Sequence, residues 1–146
     1  LEPFSADNSN YTGLLAEIRR HLGSTWVGVT APVPLRRWSP SFMAKVSSYV
    51  DAVSPMAYDS GIGDSAVYAN WVAESLSTYR ANLEPGTQLL PSIPAYGPNR
   101  WHDPAVENLD SVRPALESVG GVEGAAVYWW WEMGNADLEA WGRLIA

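Results

Sequence analysis

Signals for a strand, a loop and a helix recur in that order along the chain at steps of about 30 to 35 residues, the length of a strand–helix–strand unit. Few architectures accommodate such a repeat, because neighbouring parallel strands need a long crossover and a helix is the usual one. Leu1-Glu2-Pro3-Phe4 reads as a strand end, with Pro3 where no ladder donor is needed. A polar loop follows, with Ser9 or Asn10 as the expected N-cap. Tyr11, Leu14, Leu15, Ile18 and Leu22 then recur at helical spacing until Gly23 stops the helix. Trp26 to Val33 predicts a second strand, and Ser39-Pro40 predicts the start of a helix over 41–49. Ala52 to Tyr58 is a third strand, 66–83 a helix, and Pro85-Gly86 a turn. Leu89 to Tyr96 is a fourth strand, whose two prolines do not suit a central antiparallel position. Asn108 to Val119 predicts a helix, Gly124 to Trp131 the last strand, and Asp137 to Ile145 the closing helix.

The expected fold class is therefore α/β with parallel strands, as an open sheet or as part of a closed barrel. A dinucleotide-binding sheet is disfavoured, because no Gly-x-Gly-x-x-Gly follows any strand and the segment from Asp59 to Asp64 carries its glycines at the wrong spacing. The alternative is a run of parallel (β/α) units from a TIM-type barrel. A full barrel takes about 250 residues. On that scale residues 1–146 form a single segment, about strands 4–8, without the N-terminal strands. The start at Leu1, without an initiator Met, predicts a piece of a longer protein that needs the missing half of its barrel. Alone, the segment is expected to be inactive and to self-associate through barrel-facing side chains at Val27, Val29, Val53 and Leu90 or their alternating neighbours.

A formal charge of −7 argues against nucleic acid and against an anionic membrane surface, both of which call for a basic face. No run of about eighteen apolar residues is present to span a bilayer. The absence of cysteine excludes thiolate chemistry, and two histidines are too few for a histidine-rich metal centre, so no cofactor or metal is expected. Eight Trp and seven Tyr stand against two Phe, a balance that suits a surface both apolar and hydrogen-bonding.

In sheets of this kind ligands meet the carboxyl ends of the strands. Those ends carry Glu2, then Thr30 and Pro32, then Tyr58 and Asp59, then Tyr96, then Trp129 to Glu132. Carboxylates ringed by aromatics are what glycoside hydrolysis uses: an acid for the leaving oxygen, polar groups around an oxocarbenium-like centre, and flat faces for sugar rings. Strand alternation would put Trp129 and Trp131 on one side and Trp130 against a helix. Trp101 and His102 would lie in a loop above the same face.

Glu2 after a strand, Met56-Ala57-Tyr58-Asp59 at the next strand but one, and an aromatic-rich last strand together resemble the second half of the family 18 glycoside hydrolases, the chitinase-like enzymes. In that family a motif Asp-x-x-Asp-x-Asp-x-Glu ends in the general acid. The resemblance makes Leu1–Glu2 its last two positions, with the Asp residues before Leu1. It implies that Tyr58 helps to hold the substrate N-acetyl group, that Asp59 contacts the sugar, and that Trp129, or failing it Trp131, floors the cleft. The substrate's own N-acetyl carbonyl would be the nucleophile, with Glu2 as acid and then base. Tyr96, Trp101, Trp131 and Glu132 are the further residues expected to bind a polysaccharide or oligosaccharide, and such a substrate implies secretion. Two other readings remain open at this point: an inactive sugar-binding barrel, and a different barrel hydrolase using a Glu2/Glu132 pair, whose separation would be about 5 Å for retention and 6.5–9.5 Å for inversion.

Overall fold

The computed structural model describes residues 7–33 and 38–144. The strand expected at Leu1–Phe4, and Glu2 with it, lies outside them. The elements are α1 (Ser9–Leu22), β1 (Gly28–Ala31), α2 (Pro40–Ser47), β2 (Ala52–Pro55), α3 (Ser65–Asn82), β3 (Gln88–Leu89), β4 (Ser92–Pro94), α4 (Leu109–Ser118), β5 (Ala126–Tyr128), a 3-10 turn (Trp130–Glu132) and α5 (Asn135–Leu144).

Helix starts are set by side-chain caps that accept first-turn amide protons. Asn8, not Ser9 or Asn10, caps α1 through the Asn10 amide at 3.0 Å. Ser39 caps α2 with Pro40 at the first position, Asp64 accepts from the amides of Ala66 and Val67, and Asn108 accepts from Ser111. Gly23 closes α1 at φ 57°, in the left-handed region that favours glycine.

Among the described residues all pairings between strands are parallel. β1 pairs with β2 and β2 with β3, while β4 pairs with β5. An isolated parallel bridge from Met56 to Ser92 ties the two sheets together. The stretch from Gln88 to Pro94 is thus one path between β2 and β5, interrupted at Leu90-Pro91 where Pro91 has no amide proton to give. Strand order in space follows strand order in sequence. Among the described residues the sheet is open, with β1 and β5 each paired on one side, and no barrel closes.

Each helix packs on the next, α1 on α2, α2 on α3, α3 on α4 and α4 on α5. Sequential order with crossovers of one hand accounts for this, since every helix then lies on the same face of the sheet. Ala31, Val53, Leu89 and Ile93 point to that face and are fully buried with Val46, Tyr68, Val72, Leu76, Tyr79 and Val112. Val53, considered above as barrel-facing, is therefore a helix-side core residue. Its alternating neighbours line the opposite face. Thr30 pairs with Ser54, and the Ser54 hydroxyl lies 2.6 Å from the Leu90 carbonyl and 2.7 Å from the Ser92 hydroxyl.

Candidate functional site

The period of two along the strands carries one tyrosine from each of three strand ends onto the face opposite the helices. Ser54, Met56 and Tyr58 continue β2, Ser92, Pro94 and Tyr96 continue β4, and Tyr128 ends β5 as the register partner of Pro94. The rings meet there. Tyr58 stacks on Tyr128 with centroids 4.3 Å apart, and Tyr96 stands edge-on to Tyr58 and Tyr128 at 6.5 and 5.8 Å. Trp129 extends the cluster at 5.6 Å from Tyr96 and 5.3 Å from Trp131.

Asp59 leaves β2 in the left-handed region, φ 54°, one of the few places where a short polar side chain is tolerated at positive φ. Its Oδ1 accepts from the Tyr96 hydroxyl at 2.8 Å and from the Asn99 amide nitrogen at 3.1 Å. Asn99 in turn accepts on its own oxygen from the backbone amides of Trp101 and His102. Beneath this turn lies Glu107, a fully buried carboxylate. It accepts from the amides of Asp59 at 2.9 Å and Ser60 at 2.8 Å, from the Ser60 hydroxyl, and from Nδ1 of His102 at 2.8 Å.

The last strand is shorter than expected. It stops at Tyr128 because Trp129 turns left-handed, φ 71°, and leads into the 3-10 turn. The alternation over three tryptophans therefore does not hold, and Trp130, expected against a helix, is 64% exposed. Trp129 and Trp131 still share a side, through ring contact. The Trp129 indole donates to Oε1 of Glu132 at 2.8 Å, and the Gly97 amide donates to Oε2 at 3.2 Å, so Glu132 clamps the β5 end to the loop after β4.

Tyr58, Asp59, Tyr96, Trp129, Trp131 and Glu132 thus lie together at the strand ends. Trp101 is at the edge: its carbonyl accepts from the Gly61 amide and Arg100 stacks over its exposed ring at 4.6 Å. His102 is buried and faces Glu107, so it is a support of the site and not a surface contact. Glu2, and with it the Glu2–Glu132 separation, lies outside the described residues. Asn99, Tyr128 and Glu107 were not foreseen. The local signal for Glu107 was its place between Val106 and Leu109, five residues after the histidine it meets.

Burial, then the hydrogen bond to Asp59, pushes the Tyr96 hydroxyl well above the ordinary phenol range, and the charges of Asp59 and Glu107 act in the same direction. Tyr96 is thus held as a neutral donor aimed at a carboxylate. A cavity of about 230 Å³ lies beside it, bordered by Gly97, His102, Glu107, Glu132 and Asp137. Among the described residues no cluster of three His, Asp or Glu is arranged to hold a metal ion, and no helix is long and apolar enough to cross a membrane. What the arrangement offers chemically is a set of partly exposed aromatic faces next to polar groups of fixed direction. No family model, curated protein or solved structure matches this chain.

Proposed function

We propose that this chain is the C-terminal part of a TIM-type barrel of chitinase-like kind, and that its strand-end cluster binds an N-acetylated oligosaccharide that the full-length protein cleaves with Glu2 as general acid. The observation that carries the reading is the convergence of Tyr58, Tyr96 and Tyr128 with Trp129 around the Asp59 carboxylate at the carboxyl ends of parallel strands. Aromatic faces stack on the apolar faces of sugar rings, while a carboxylate and a neutral phenol take their hydroxyl and amide groups. Oδ1 of Asp59 is engaged by Tyr96 and Asn99, and Oδ2 has no partner among the described residues, which leaves it for a ligand.

Barrel geometry is supported by the strand order, by helices on one face only, and by the approach of Tyr58 to Tyr128 across the intervening strand. In a flat sheet two strand spacings are roughly 9.5 Å. Rings that meet at 4.3 Å favour a sheet curled toward the face they occupy. Glu132 accepts N–H donors on both oxygens, a role for a carboxylate anchor and not for a proton donor, which favours Glu2 as the acid over a Glu2/Glu132 pair.

The test is Glu2→Gln in the full-length protein with chito-oligosaccharides of defined length. Gln keeps the shape and cannot protonate a leaving oxygen, so turnover should vanish while calorimetric affinity stays within a few-fold. Binding without turnover in the unmodified protein would indicate the inactive sugar-binding barrel. A protein that shows no binding and no turnover would overturn the reading.

A further inference from the structure

We propose that Glu107 is a positioning residue for Asp59: from beneath the strand end it holds the Asp59–Ser60 turn in the conformation that presents the Asp59 carboxylate to Tyr96, and His102 links Glu107 to the strand end that carries Tyr96. The assignment of Asp59 to sugar contact rests on the reading above; the positioning itself does not.

An ionised carboxylate has two oxygens with about four acceptor sites. All four are used here. Oε2 takes the Asp59 amide and His102 Nδ1, and Oε1 takes the Ser60 amide and hydroxyl. Two consecutive amides aimed at one carboxylate fix the peptide planes on either side of the Asp59 Cα, and with them the positive φ of Asp59. A residue that would relax toward ordinary φ is held over Tyr96 by a group it never touches with its side chain.

His102 completes the device. Its Nδ1 faces Glu107 and its Nε2 faces the Tyr96 carbonyl at 3.1 Å. Both partners are acceptors. A proton on Nδ1 satisfies the fully buried carboxylate, and the Nε2 contact ties the ring to the strand end that carries Tyr96. The ring also lies against Tyr96, centroids 4.2 Å apart. The same pair thus fixes both ends of the Tyr96–Asp59 hydrogen bond, the turn that carries the acceptor and the strand end that carries the donor. The charged and titratable groups around it are Asp59, Tyr96 and the buried Tyr68, whose hydroxyl is pushed up by burial and by the Glu107 charge and donates to the Ala57 carbonyl.

Glu107→Gln separates the alternatives. A Gln amide accepts on one side and donates on the other, so its NH2 opposes two of the four donors and the turn is released. The readout that a merely structural residue would not move is the titration of Tyr96, followed by NMR in tyrosine-labelled full-length protein. In both Asp59→Asn and Glu107→Gln it should fall toward the ordinary phenol value, since both weaken the hydrogen bond to Asp59. Affinity for a chito-oligosaccharide should fall about 10-fold to 100-fold in each single variant. The double variant should be no weaker than Asp59→Asn alone, because Glu107 acts through Asp59.

A Tyr96 titration unchanged by Glu107→Gln overturns the proposal, as does a double variant whose losses multiply. A lowered Tyr96 titration with no loss of sugar affinity in Asp59→Asn leaves the positioning role standing and removes Asp59 from the sugar site. Should Glu107→Gln fail to fold, Ser60→Ala carries the test, since it deletes one of the four donors. A smaller shift of the same sign is expected there, and an unshifted Tyr96 overturns the proposal.

Discussion

Tyr58 and Tyr128 lie face to face, planes 7° from parallel, although the strands that carry them are not neighbours. An aromatic pair in contact contributes about 0.5–1.5 kcal/mol beyond its buried area. Tyr128→Leu keeps apolar bulk and removes the stack, so urea unfolding should show a loss of that order. A midpoint equal to that of the parent would mean that the rings adjoin without stabilising each other.

Two non-glycine residues of the site, Asp59 and Trp129, hold positive φ, and strain of this kind is expected where a side chain is aimed for function. Glycine adopts such angles freely, whereas alanine meets the full steric penalty of roughly 1–2 kcal/mol. At each position the Gly variant should therefore be more stable than the Ala variant by about 1 kcal/mol, although both lack the functional side chain. Thermal unfolding of the four variants measures this directly. An Ala variant as stable as its Gly counterpart would show that the turn relaxes once the side chain is gone.

Acid should weaken the junction of α1 and β2. Arg19 donates to Oδ2 of Asp51 at 2.6 Å, and the Val27 amide donates to the same oxygen at 2.8 Å. The guanidinium, then the amide, holds the Asp51 carboxyl below its usual range. A depressed folded-state value contributes stability that is present above the unfolded carboxyl's value, about 3.9, and is lost as pH falls through the folded one. Asp51→Asn should thus lower the melting temperature at neutral pH and converge with the parent in acid. Parallel curves down to the lowest pH measured would remove Asp51 as a source of acid sensitivity.

At the alkaline end the sign is reversed. Burial raises the hydroxyls of the fully buried Tyr68 and Tyr79 above the ordinary phenol range. Their contribution is full below the unfolded phenol value, about 10, and is lost as pH rises through the raised folded values. Ultraviolet titration should therefore show a first wave from the more accessible of the seven tyrosines and a second, cooperative wave that coincides with loss of the circular dichroism signal. One smooth wave preceding any unfolding would contradict the burial of these rings.

Much of the fold was legible because its helices are marked twice, by apolar spacing and by a cap. Ser39-Pro40 and the Leu109, Val112, Leu116, Val119 stripe each fixed an element to within a residue or two. Strand ends were harder. Nothing local in Tyr128-Trp129-Trp130-Trp131 distinguishes continued alternation from a left-handed exit, because the exit is set by Glu132 reaching back to the indole and to Gly97. Tyr58, Tyr96 and Asp59 were found because side-chain alternation and parallel topology fix where such residues go. Glu107 escaped because three of its four contacts come from Asp59 and Ser60, 48 and 47 positions earlier, a separation no local pattern encodes.

The succession of neighbours in this sheet also bears on how the chain can be made. With β1 beside β2, β2 beside the 88–94 stretch and that stretch beside β5, each new pairing joins consecutive units and closes a loop of modest length. The entropy of loop closure grows only slowly over such spans, and no early strand has to wait for a distant one. The sheet can therefore be laid down in the order of synthesis, each helix covering the strand just placed while the next is still to be added.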